Sequence, residues 1–363
     1  MKKLGFGLMR LPKKGPFTDI EQTKKMVDAF LDAGFTYFDT AYVYLGSEAA
    51  AKKALVSRYD RSAFTLATKV NAAVAPSEKA ARKQLATSLE RTGAGYFDYY
   101  LLHAIMENNY KKYEKFHLWD FAAEQKERGV LKHIGFSFHA GPQLLDQILR
   151  DHPEVDFVQL QLNYADWENP SVQSRANYEV ARKHGKPIVV MEPVKGGTLA
   201  DPPAEVKKLF QDYAPGASCA SWAIRFAASL DGVLTVLSGM SNTQQMEDNL
   251  SYMRDFQPLN ADERKIIEQA QRLLGQSSAI ACTACHYCTE GCPKQIPIPE
   301  IFSAANLHLA NGQLDQARQQ YAAAVESRGK ASDCIACGQC ERACPQHLKI
   351  IDDLKQCAGM LEK

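Results

Sequence analysis

Leu4-Gly5-Phe6-Gly7-Leu8-Met9-Arg10, just after Met1, Lys2 and Lys3, is a strand-like apolar run that carries two glycines two residues apart. In an open dinucleotide-binding sheet the first strand runs into G-x-G-x-x-G, whose last glycine lets the following helix pack closely. Here Gly5 and Gly7 are followed by Met9 and Arg10, so the fingerprint is missing. Its absence argues against that sheet. As far as Arg254, short runs of β-branched and aromatic residues alternate with helical patterns, the signature of βα units around a parallel sheet. Such alternation alone fits an open doubly wound sheet or a closed barrel equally well. Candidate strands lie at Leu4–Met9, Thr36–Asp39, Phe64–Lys69, Tyr99–His103, His133–Ser137, Phe157–Leu160, Ile188–Glu192 and Val233–Leu237. Eight strands in about 250 residues, with chemically rich side chains at several C-terminal strand ends, point to a (β/α)8 TIM barrel.

The first helix is marked by Thr18-x-x-Glu21 in capping-box form, by apolar Met26, Val27, Phe30 and Leu31, and by Gly34 as a stop. A bridging helix is expected over 260–275, capped by Asn260 and ended by Gly275. Past it, at Ser277 and Ser278, the composition changes. The expected organisation is therefore a barrel over 1–259, the bridging helix, and a small, mostly α-helical domain over 276–363. With 363 residues, 45% hydrophobic and a net charge of +1, the chain can bury such a barrel. The same balance gives no reason to expect nucleic acid or a membrane surface as partner. The apolar start is too short for a signal peptide, and a cytoplasmic location is the default expectation.

Eight of the ten cysteines form two runs, Cys282, Cys285, Cys288, Cys292–Pro293 and Cys334, Cys337, Cys340, Cys344–Pro345. Clustering of this kind signals metal ligation in a reducing compartment rather than disulfides. Cys219 and Cys357 stand apart and read as small apolar side chains. Four thiolates also suit zinc, but two duplicated quartets, each followed by proline, favour clusters. The C-x2-C-x2-C-x3-C-P spacing resembles bacterial two-cluster ferredoxins, in which the fourth cysteine of each run ligates the other cluster. The resemblance implies two [4Fe–4S] clusters, one on Cys282, Cys285, Cys288 and Cys344, the other on Cys334, Cys337, Cys340 and Cys292. Between the runs, Ile298 to Arg328 reads helical, so the domain looks like the α-helical type of ferredoxin-like module.

Four barrel residues stand at strand ends: Asp39, then Tyr44 just after it, Lys69 and His103. Each has a bland reading when taken singly, as a cap, an exposed ring, a cation reaching water or a core histidine. Together they form a device. A phenol is a weak acid, with a reference pKa of about 10, and a neighbouring ammonium stabilises its anion. Asp39 would hold Lys69 in place, Lys69 would tune Tyr44, and His103 could orient a carbonyl oxygen beside the phenol.

The elements Asp39-Thr40-Ala41-x-x-Tyr44-x-Gly46-x-Glu48, Ala67-Thr68-Lys69, Leu101-Leu102-His103, Ile134-Gly135-Phe136-Ser137 and Glu192-Pro193-Val194-Lys195-Gly196-Gly197 occur in the order of the aldo-keto reductase family, which the sequence resembles from Leu4 to about Asn249. The resemblance implies that Tyr44 is the proton donor and that NADP or NAD lies extended across the barrel mouth. It places the cofactor at Ser137, Gln159, Pro193, Val194, Gly196, Gly239, Ser241, Gln245 and Asn249. Phe138 replaces the asparagine that usually follows the serine, Met191 stands where an aromatic ring usually stacks, and Gln245 stands where an arginine commonly pairs with the 2′-phosphate. Tyr42, His139, Tyr164, Trp167 and Lys195 are further candidates for the mouth. Three readings of function are open. In the first, the chain reduces a small-molecule carbonyl with NAD(P)H and the clusters are structural. In the second, the clusters exchange electrons with the barrel site and with an external ferredoxin or flavoprotein. In the third, the protein is a non-catalytic electron-transfer or redox-sensing module.

Overall fold

The computed structural model describes residues 2–276 and 278–362; Ser277, where the composition changes, lies outside them, as do Met1 and Lys363, the outer limits of the expected domains. All eight expected strands form, as β1 (Leu4–Gly7), β2 (Tyr37–Asp39), β3 (Thr65–Val70), β4 (Phe97–Ile105), β5 (Leu131–Phe138), β6 (Phe157–Gln161), β7 (Ile188–Met191) and β8 (Val233–Ser238). They are parallel, each paired to the next, and β1 closes the barrel on β8 through Leu4 opposite Val236 and Phe6 opposite Ser238.

Gly5 has a packing role in this barrel. A Cβ there would come within 2.7 Å of Leu237 Cδ2 and 3.3 Å of Tyr37 Cδ1, so glycine makes room for the interior side chains of the strands on either side. That interior is a layer of Tyr37, Ala67, Tyr99, Leu101, Phe157, Val189 and Leu237. Side chains two residues apart on a strand share a face. The next inward positions above Tyr37, Ala67, Leu101, Phe157, Val189 and Leu237 are therefore Asp39, Lys69, His103, Gln159, Met191 and Gly239. The apolar layer thus forms a floor, and the polar residues sit one step nearer the C-terminal mouth.

On the outer face, Phe38 packs on Phe30 of the first helix, Ile20–Asp32, with ring centroids 5.2 Å apart, and Phe6 lies 5.8 Å from Phe30. The cap of that helix differs from the expected Thr18. Thr18 pairs with Lys13 in a short antiparallel hairpin, Lys13–Lys14 with Phe17–Thr18, and Asp19 takes the cap by accepting from the Gln22 amide at 3.0 Å.

The chain divides into two compact units. One holds the residues up to Asn169, Gln173–Pro193 and Ala220–Asn260, and so the whole barrel; the other holds Pro170–Val172, Val194–Cys219 and the chain from Ala261 onward. The helix expected over 260–275 forms as Ala261–Leu274, within the second unit. The expected helical stretch between the cysteine runs is two helices, Ile298–Asn311 and Leu314–Val325, because the chain turns at Gly312. With Ile350–Leu361 they enclose a core of Ile301, Phe302, Ala305, Ala317, Leu354 and the fully buried Cys357. Among the described residues no helix is long and apolar enough to cross a membrane.

Candidate active site and cysteine-lined cavities

Asp39, Lys69 and His103 converge as their common layer requires. Lys69 Nζ donates to Asp39 Oδ1 at 2.5 Å and to the Thr40 carbonyl at 2.8 Å, with Lys69 and Asp39 only 1% and 4% exposed. Gln159 Nε2 lies 3.5 Å from the other carboxylate oxygen, so this expected cofactor residue also touches the ion pair. Burial pushes the Asp39 carboxyl up and the Lys69 ammonium down; their mutual attraction opposes both shifts. Tyr44 lies in the turn after β2, where its amide bonds the Ala41 carbonyl and its carbonyl accepts from Ser47. Its ring has Lys69 Nζ 5.1 Å from the centroid and His103 edge-on at 5.5 Å. His103 is 3% exposed, and burial, then the Lys69 charge and His139, hold its imidazole well below the usual histidine range.

His103 owes its aim to a bulge. The β4–β5 register shifts between Leu102 and Ile105, and Ala104 has φ of 52°. Such irregularities re-aim side chains beside active sites. Three groups fix this one. Ser137 Oγ accepts from the Ala104 amide at 2.7 Å, Asn109 Nδ2 donates to the Ala104 carbonyl at 2.8 Å, and the Tyr113 hydroxyl donates to the His103 carbonyl. Ser137, one of the expected cofactor residues, thus supports the bulge. Tyr113 and Asn109 escaped sequence reading, since nothing in their spacing marks them. A second unforeseen network is the buried Asp166, which accepts from Gln161 Nε2 at 2.8 Å and Asn163 Nδ2 at 2.7 Å; the Asn163 amide also reaches the Glu192 carbonyl at 3.1 Å.

Of the remaining expected cofactor residues, Gly239 follows β8 with the Arg10 side chain alongside. Ser241 and Gln245 flank Asn242, the cap of helix Thr243–Met253; Gln245 Oε1 accepts from the Ser241 amide at 2.7 Å. Asn249 is buried, donating to Ser238 Oγ at 2.6 Å and accepting from the Tyr252 hydroxyl at 2.6 Å. Pro193 is buried in the barrel unit, while Val194 and Gly196 belong to the second unit, in the turn around Lys195–Gly197. Tyr42 and His139 are partly exposed, and Lys195 is buried within its turn. Tyr164 and Trp167 both pack edge-on against Phe226, at 6.2 and 5.5 Å, so they build wall.

In the second unit the eight run cysteines line two cavities of unequal size. The larger is lined by Cys292, Cys334, Cys337 and Cys340, the smaller by Cys282, Cys285, Cys288 and Cys344. These are the two crossed sets. The runs also repeat in backbone conformation. Ala284 and His286 of the first have φ of 49° and 65°; Ala336 and Gly338 of the second have 54° and 74°; Gln295 and His347, each three residues past its fourth cysteine, have 52° and 53°. Alternating left-handed residues turn successive amides inward into anion-binding nests. The Ala284 amide lies 3.4 Å from Cys282 Sγ, and amides of Leu348, Gln346 and His347 serve Cys344. Left-handed non-glycine residues cost about 1–3 kcal/mol each and persist where surroundings over-determine them. The donor set and the cavities fit polynuclear clusters.

Residues 3–272 match the Aldo/keto reductase family, and residues 281–349 match the 4Fe-4S dicluster domain. The chain is 30% identical over 262 residues to an aldo-keto reductase of Mycolicibacterium vanbaalenii, covering 70% of this chain and 85% of that one. It is 29% identical over 252 residues to one of Mycobacterium avium, covering 69% and 80%. Among solved structures it is similar to an aldo-keto reductase from Bacillus halodurans in its holo form, with 25% identity, a TM-score of 0.59, and 74% and 91% of the chains covered. An aldo-keto reductase from Klebsiella pneumoniae in complex with NADPH shares the fold, with 19% identity, a TM-score of 0.60, and 75% and 90% covered. The chain belongs to the aldo/keto reductase family: it is an oxidoreductase of that type with a 4Fe-4S dicluster domain following its barrel.

Proposed function

We propose that the protein reduces an aldehyde or ketone to an alcohol at the expense of NADPH or NADH, with Tyr44 as proton donor. The observation that carries this reading is the layer holding Asp39, Lys69 and His103 against the Tyr44 ring. A bound reduced nicotinamide supplies the hydride. Tyr44 gives its proton to the carbonyl oxygen as that oxygen gains charge, and the nearby Lys69 ammonium stabilises the phenolate left behind. The imidazole is held neutral by burial, so His103 is a poor acid at neutral pH and suits the task of orienting the carbonyl. Ser137 and Gln159 would hold the carboxamide, and the NADPH in the Klebsiella pneumoniae structure supports a nicotinamide cofactor here. The eight cysteines hold two [4Fe–4S] clusters in the crossed sets that line the two cavities.

The test is a panel of aldehydes and ketones with both nucleotides, run anaerobically on the wild type and on Tyr44→Phe. Loss of a positioned general acid lowers turnover by about 10²–10⁴-fold, with nucleotide affinity nearly unchanged. A Phe variant that keeps most of its turnover removes Tyr44 from the mechanism.

A second reading, in which the clusters exchange electrons with an external ferredoxin or flavoprotein, is favoured by the exposure of Cys337 and Ile335 in the second loop. Cluster EPR during anaerobic turnover separates the two: clusters that stay oxidised throughout exclude exchange.

A further inference from the structure

The Val194–Leu199 turn and the first cysteine loop are packed backbone against backbone. A Cβ on Gly196 would sit 2.5 Å from both the Cα and the carbonyl oxygen of Thr283, and Gly196 has φ of 67°, so neither the space nor the conformation admits a side chain. Thr283 is 2% exposed and stands between Cys282 and Cys285, two donors of the smaller cavity. Its counterpart in the second run, Ile335, is 57% exposed. The two cysteine loops therefore share a conformation and differ in their surroundings.

Both partners in the contact contain left-handed residues. In the turn, Lys195, Gly196 and Gly197 have φ of 47°, 67° and 109°; in the loop, Ala284 and His286 are left-handed as well. The turn has a few bonds of its own, from the Gly197 and Leu199 amides to the Val194 carbonyl and from Thr198 Oγ to the Lys195 carbonyl. Neither segment belongs to a sheet or a long helix, and the two pack on one another at Gly196 and Thr283.

We propose that loading a cluster on Cys282, Cys285, Cys288 and Cys344 orders the Val194–Leu199 turn through the Gly196–Thr283 contact, and thereby sets how tightly the turn holds the nucleotide. The nucleotide clause rests on the function proposed above; the ordering clause stands without it. The coupling is reciprocal, so an ordered turn also strengthens retention of that cluster. The second cluster, whose loop faces solvent at Ile335, has no such effect.

Hydrogen exchange of peptides spanning 194–199 tests this on anaerobically purified full-length protein, comparing wild type, Cys285→Ser and Cys337→Ser with and without NADPH. Cys285→Ser should speed exchange of the turn about tenfold, within the usual range of such couplings, while Cys337→Ser should match wild type. An unchanged turn in Cys285→Ser, or an equal rise in both variants, overturns the proposal. Gly196→Ala approaches the contact from the other side and leaves every cysteine in place. It should lose the first cluster and keep the second, lowering iron from about eight to about four atoms per chain; full iron with wild-type bleaching of the visible absorbance overturns the coupling. NADPH should slow exchange of the wild-type turn. If it does not while the cluster dependence holds, the nucleotide assignment of the turn fails and the ordering stands.

Discussion

In the barrel, Asp39 and Lys69 are buried with their charges matched across 2.5 Å, whereas in the cysteine domain Cys288, Cys340 and Cys344 are buried around cavities, with thiols that burial pushes up, Cys340 to about 11. The first site carries its own counterion. The second surrounds its cavities with sulfur donors and strained amides whose neutralising partner comes from outside the chain. Removing the partner should therefore separate the two regions. Anaerobic stripping of iron should cost the helices Ile298–Asn311, Leu314–Val325 and Ile350–Leu361 their cooperative unfolding, by roughly 10 kcal/mol as in small metal-organised domains, while the barrel keeps its thermal transition. Circular dichroism melts read this directly, and a stripped cysteine domain that still melts cooperatively would break the contrast. Cys344→Ser sharpens it, because the lost cluster should be the one whose other donors lie in the first run.

The corresponding cut in the barrel is Asp39→Asn. The amide keeps the shape and removes the charge, leaving the Lys69 ammonium buried with its desolvation unopposed by that carboxylate. Breaking a buried pair in this way costs about 3–5 kcal/mol. Denaturant unfolding should show that loss, and turnover should fall because a less charged Lys69 stabilises the phenolate less. A variant as stable as wild type would mean that the pair is not what holds this layer together.

Much of the barrel site was legible because a strand alternates its faces. Once the β-rich runs ending in Asp39, Lys69 and His103 are aligned as neighbours in a barrel, period two puts these residues on one inner level, and the same step carries Phe157 to Gln159. The bulge at Ala104 was illegible. It depends on the pairing of β4 with β5, and its supports, Asn109, Tyr113 and Ser137, come from other segments. The cap at Asp19 was missed for a similar reason, since only the hairpin that engages Thr18 shifts it by one residue. In the cysteine domain, the crossed pairing came from the resemblance to two-cluster ferredoxins, and tertiary packing was out of reach: no local pattern announces that Gly196 meets Thr283.

His103 gives the barrel a pH dependence of known sign. Its folded pKa is depressed, so in acid the unfolded chain takes up a proton that the folded one refuses. The stability is fully present above the unfolded value of about 6.5 and falls as pH drops below it, by up to about 1.4 kcal/mol per pH unit. His103→Gln should flatten that acid limb. An unchanged slope between about pH 6.5 and 5 would place the proton uptake elsewhere.

The smallest expected effect belongs to Gln245→Arg, which asks how far the barrel's nucleotide rim is set by charge. An arginine there can pair with a 2′-phosphate through two parallel hydrogen bonds, which a glutamine cannot match. The wild-type side chain also has a local duty, because its Oε1 accepts from the Ser241 amide at 2.7 Å. Arginine has no acceptor, so the substitution frees that amide at a cost of about 1 kcal/mol. The freed amide lies in the turn that leads into the helix capped by Asn242, where a phosphate would restore the missing bond. The two changes thus act together on NADP(H) and leave NAD(H) only the cost. NADP(H) affinity should rise about tenfold, a gain near 1.4 kcal/mol, with NAD(H) unchanged or slightly weaker in parallel titrations. An equal gain for both nucleotides would show that the phosphate lies away from Gln245 and that Ser241 and its helix belong to another part of the cofactor.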